Sequence, residues 1–152
     1  LKANNTDDLK NLILRDVTIN KLTDYCRRAL NKKESYFRYL GPGYVIVEIL
    51  EKISDGYRDL CKSASQGKTK ASKPMLNILE EINLMLRASQ KLFYAFNLNE
   101  MQDFLAKMDK VKISIMEFVK TAKKEEAVLS LHLNAISDNI FFLNGPLIIN
   151  GL

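Results

Sequence analysis

The chain has 152 residues, 47% of them apolar and 27% charged, which is enough for one globular domain or two closely fused halves. Its net charge of +5 is a mild excess on a mixed surface, short of the clustered charge of a dedicated nucleic-acid domain. Cys26 and Cys61 make no disulfide framework and no metal-ligand spacing, so a reduced, cytoplasmic protein is expected, and no run reaches the roughly 18 apolar residues of a membrane span.

The opening LKANNTDDLK lacks the basic start and apolar stretch of a signal peptide. It also lacks Met, which suggests an excerpt from a longer chain. Helical spacing of apolar residues then predicts five helices. The first runs from about Thr6 to Lys32 and carries Leu9, Leu12, Ile13, Ile19, Leu22 and Cys26. A break is expected at Gly41-Pro42-Gly43. The second helix, about Tyr44 to Ser63, carries Ile46, Ile49, Leu50, Ile53, Tyr57 and Leu60. KSASQGKTKASK is small, polar and basic, and reads as a linker. The third helix starts near Ser72, with Pro74 in its first turn. The fourth, about Asn99 to Lys123, shows Met101, Phe104, Met108, Val111 and Ile115. The fifth, about Glu125 to Leu143, shows Leu129, Leu133, Ile136 and Ile140 and stops at Gly145-Pro146. Alternating β patterning is absent, so the fold class is all-α.

Leu-x-x-Ile-Ser-Asp occurs twice, in LEKISDGY (residues 50–57) and in LNAISDNI (residues 133–140). Asp16 and Asp109 also match, each in the middle of the preceding helix. This points to an internal repeat of three helices whose first member is missing. The domain division is then 1–65, a partial first repeat of two helices, a linker at 66–73, and 74–152, a second repeat of three. An uncovered apolar seam is expected on the first half, formed by Leu12, Ile19, Leu22, Ile46, Leu50 and Ile53. An upstream helix or another copy of the chain would fill it.

Glu51 and Asp55 are spaced i, i+4, so their carboxylates share one helical face beside the apolar stripe. Such a pair can share a cation if a third carboxylate joins from a neighbouring helix, whereas periodicity alone favours a solvated acidic face. In the second copy Asn134 stands in place of the Glu and leaves Asp138 alone. Catalysis is not expected. The single histidine, His132, lies inside a helix, no Gly-rich phosphate loop follows a strand, and no Glu-x-x-His pair is present.

LEKISDGYRDLC resembles the signature helix of the PhoU family of phosphate-uptake regulators. RDVTINKLTDYCRRALNK resembles the helix before it, and ISDNIFFLNGPLI is similar to the close of archaeal members. The resemblance implies PhoU-like tandem three-helix bundles, the first lacking its first helix. It implies regulation of phosphate uptake or phosphate signalling by contacts with a transporter or sensor component, without catalysis. Some archaeal members carry an AbrB-like DNA-binding domain ahead of the bundles, so DNA contact would come only through an upstream domain. The family's metal clusters carry over to Glu51 and Asp55, with Asp16 and Asp109 as helix-borne partners and Asp138 in the second motif. Iron, zinc or nickel would be the metal, weakly held or absent, because Asn134 and Asn20 stand where the family has carboxylates. A homo-oligomer without membrane insertion is expected. The rival reading is a structural oligomerisation bundle that supports a fused DNA-binding domain.

Overall fold

Six glycines and three prolines in 152 residues leave little to interrupt a helix. A computed structural model of the chain describes residues 6–32, 39–66 and 71–152, and all of its regular structure is helical. The elements are α1 (Thr6–Asn31), α2 (Leu40–Gln66), α3 (Lys73–Tyr94), α4 (Leu98–Thr121), α5 (Lys124–Phe142) and α6 (Asn144–Gly151). The expected break at Gly41-Pro42-Gly43 is instead the first turn of α2. Pro42 is its third residue, where a backbone N–H has no intrahelical partner to lose. The Gly43 N–H already donates to the Tyr39 carbonyl, at 3.2 Å. Helix α5 does end before Gly145-Pro146, at Phe142, but those two residues open a further short helix that the sequence did not suggest. Pro146 is the third residue of α6, and the Leu147 N–H donates to the Leu143 carbonyl at 3.0 Å.

The first five linker residues, 62–66, continue α2, whereas 67–70 lie outside the described residues. Helix α3 then begins as its sequence suggests, with Ser72 at the N-cap and proline in the first turn. Its capping acceptor comes from elsewhere: the Ser72 N–H donates to buried Glu126 of α5, at 2.8 Å. In α4 the Asn97 side chain caps the helix by accepting from the Asn99 and Glu100 N–H groups.

One apolar cluster spans both halves of the chain. It takes Ile46, Ile53 and Leu60 from α2, Met75 and Ile82 from α3, Phe104 and Met108 from α4, Leu133, Ile136 and Ile140 from α5, and Leu147 from α6. Helix α2 packs on α5 and α6, and α3 packs on α4, α5 and α6. A fully buried side chain of this size contributes about 1.5–3 kcal/mol, so this cluster dominates the stability of α2–α6. No described side chain of α1 belongs to it. Helix α1 lies along α2, with Leu9 and Leu30 buried near its two ends.

The expected open seam is therefore only half open. Ile46 and Ile53 are buried because α5 and α6 cover that face of α2, and Ile19 is half-buried. Leu12, Leu22 and Leu50 are exposed, together with Leu14, Val17 and Tyr25 of α1.

Candidate functional site

Asp16, Asn20, Thr23 and Arg27 recur at intervals of three and four, which stacks them on one face of α1. That face meets Glu48, Glu51, Ser54 and Arg58 of α2. The seam between the two helices is consequently polar. Asp16 is only 6% exposed, and it is satisfied from α2 by two donors. Ser54 Oγ donates to its Oδ1 at 3.0 Å, and Arg58 Nη1 donates to its Oδ2 at 3.0 Å. Arg58 also pairs with Asp55, and its Nε donates to Asp59 at 3.0 Å. Arg27 forms the second node. It donates to Glu48 at 2.6 Å and Asp24 at 2.8 Å, and it pairs with Glu51.

Both guanidinium groups are held above their ordinary pKa. For Arg27 the leading cause is its hydrogen bond to Glu48, followed by that to Glu51. For Arg58 it is the bond to Asp59, then that to Asp16. Thr23, also buried, returns its hydroxyl to the Asn20 carbonyl at 2.9 Å. The Asn20 Oδ1 is buried without a partner.

This arrangement decides what Glu51 and Asp55 can do. A cation bridging them needs carboxylate oxygens that converge on empty space. Here Arg58 already joins Asp55 to Asp16, and Arg27 already engages Glu51. Among the described residues no group of three or more His, Cys, Asp or Glu is placed to hold a metal. The residues present do not fit a family-type metal cluster. The second motif differs again. Asp138 pairs with Lys112 of α4 at 3.1 Å and accepts from Asn134 at 2.9 Å. Asp109 is exposed on α4. Ser137, the counterpart of Ser54, is fully buried and its hydroxyl has no partner. Between α4 and α5 the motif aspartate is thus held by Lys112 instead of by an arginine that also spans a buried carboxylate.

The two motif helices meet at the centre of the molecule. A Cβ on Gly56 would lie 2.7 Å from Ile136 Cγ1, so the residue after the first Ile-Ser-Asp faces the isoleucine of the second. Only a glycine permits this approach of α2 to α5. Beside it, Tyr57 donates to Asn83 Oδ1 of α3 at 2.6 Å, and burial pushes its phenol up to about 12. Tyr57, Leu60 and Cys61 line a mainly apolar groove of about 500 Å³ with Leu9, Leu12, Leu76 and Leu79. Burial raises the Cys61 thiol as well.

Two features escaped the sequence reading. Arg27 and Arg58 are the partners of the motif carboxylates, and Arg58 was findable because it follows Asp55 by three residues. The pairing of Ser63 Oγ with His132 Nε2, at 2.9 Å, joins residues 69 apart and left no local signal. Among the described residues no helix is long and apolar enough to cross a membrane. Compared with family models, curated proteins and solved structures, the chain finds no match.

Proposed function

We propose that the chain is a non-catalytic regulatory module of the PhoU type, which couples phosphate status to transport or signalling through protein contacts. The observation that carries the reading is the meeting of the two motif-bearing helices, Gly56 of α2 against Ile136 of α5. In this reading α1–α2 and α4–α5 are equivalent pairs, and the shared motif encodes the contact between them. The carboxylates of the first motif serve as acceptors for Arg27 and Arg58. A cation at Glu51 and Asp55 would have to displace those guanidinium groups, so iron, zinc or nickel enters no step of the proposal. The site of action is cytoplasmic, on a phosphate transporter or a sensor component.

The test is deletion of the gene in its source organism, followed by phosphate uptake in phosphate-replete and phosphate-starved cells. The reading expects uptake to escape repression in replete cells, with restoration by the intact gene. Unchanged uptake in both conditions contradicts it.

A second reading, an oligomerisation bundle, is favoured by the outward side of α5. Val128, Leu131 and Phe142 are exposed on a helix whose opposite face is already buried. Apolar side chains exposed opposite a buried face favour an assembly that covers them. A monomeric parent chain argues against this second reading, and self-association that survives replacement of Leu131 by Glu argues against the α5 face as its seam.

A further inference from the structure

The face of α1 turned away from α2 mixes apolar and basic side chains, and the exposed carboxylate described beside it, Asp24, is paired with Arg27. Leu14 is 67% exposed and Tyr25 71%, with Val17 and Leu22 also more than half exposed. Arg15, Lys21 and Arg28 are exposed on the same helix, and Lys32 follows its last residue. None of these four cations has an ion-pair partner among the described residues, in contrast to Arg27 on the inner face. The two described carboxylates of α1 are committed elsewhere: Asp16 to Arg58 and Asp24 to Arg27.

We infer that this face docks an acidic amphipathic helix of a partner protein. The inference rests on the proposed reading and names the chemistry of the protein contact. Charge complementarity carries it. Lys21, Arg28 and Lys32 are unpaired among the described residues and the nearest described carboxylate, Asp24, is already held by Arg27, which favours a partner that brings carboxylates. The spacing supplies the shape. Leu14, Val17, Lys21, Tyr25 and Arg28 recur at three and four residues along about 21 Å of axis, the repeat that another helix presents. A bilayer fits less well, because Lys21 lies among the apolar residues and would be carried below the headgroups with them. A nucleic-acid duplex fits less well, because Leu14, Val17 and Leu22 would face phosphates.

The test uses the full chain and two synthetic helical peptides. One has leucines at three- and four-residue spacing flanked by glutamates, and the other has lysines in place of the glutamates. Vesicles containing phosphatidylserine and a short DNA duplex complete the set. The acidic peptide is expected to bind alone among the four, and more weakly as salt rises. The double variant Lys21→Glu, Arg28→Glu is expected to weaken it roughly tenfold or more, and Tyr25→Ser to weaken it without changing the salt dependence. All three positions are exposed, so circular dichroism should be unchanged. Failure of the acidic peptide to bind, equal binding of both peptides, preference for vesicles or DNA, or indifference to the charge reversal would each overturn the inference. Phosphate uptake in cells carrying the double variant separates the two levels. Repression that survives the variant but is lost on deletion removes this surface and leaves the regulatory reading intact. Repression indifferent to deletion removes the regulatory reading itself.

Discussion

At Gly56 two effects of opposite sign compete, and their sizes decide the outcome. Alanine in mid-helix is favoured over glycine by up to about 1 kcal/mol. Against that, its Cβ would sit 2.7 Å from Ile136 Cγ1, which belongs to a fully buried, β-branched side chain that cannot swing away. Overpacking of this kind costs about 1–3 kcal/mol, so Gly56→Ala is expected to destabilise by about 1–2 kcal/mol net. Chemical denaturation of both proteins measures it; a variant as stable as the parent contradicts the close approach of α2 and α5. Tyr57 offers a pH test. An unfolded tyrosine ionises near pH 10, about two units below the buried one at about 12. Between these values the folded state holds the proton more tightly, so stability falls as pH rises through the window and is unaffected below it. Unfolding of Tyr57→Phe compared with the parent should show the parent losing more stability from about pH 10 to 12. Parallel curves contradict the burial.

The helices themselves were legible from period and composition, because apolar residues at helical spacing marked the buried faces of α3, α4 and α5. Met101, Phe104, Met108, Val111 and Ile115 are the buried positions of α4, as their spacing implied. The missed entries into α2 and α6 share one physical cause. Glycine and proline at 41–43 were taken as a break, and at 145–146 they do follow the end of α5, yet proline in the first turn of a helix forfeits no hydrogen bond and lets a new helix begin. The sequence Gly-Pro therefore marks an entry into α2 and α6 as readily as an exit from the preceding segment. Helix α1 was legible as a helix but not in its packing. Its apolar residues lie all round it, and the face it buries is the one bearing Asp16, Asn20 and Thr23. A buried polar face is invisible to a pattern search for apolar ones. The candidate carboxylates were found by spacing. Their arginine partners were not, because Arg27 reaches Glu48 and Glu51 from another helix.

At the scale of the molecule, two kinds of adhesion divide the labour. Helices α2–α6 share one apolar cluster, whereas α1 is joined to α2 by Leu9 and Leu30 near its ends and, between them, by Arg58, Arg27 and the carboxylates they span. Burial of apolar area is worth more than partly exposed ion pairs, so α1 is expected to be less stable locally than α3–α5. It is also the element whose outer face is free to meet a partner. Native-state amide hydrogen exchange on the parent and on Arg58→Met tests this division most directly. The substitution leaves the Asp16 carboxylate, 6% exposed, without its cation, at an expected cost of about 2–3 kcal/mol confined to the seam. The account predicts that α1 exchanges faster than α3–α5 in the parent, and that Arg58→Met accelerates α1 while leaving α3–α5 protected. Uniform protection of all six helices in the parent, or an equal acceleration throughout the chain in the variant, would contradict it.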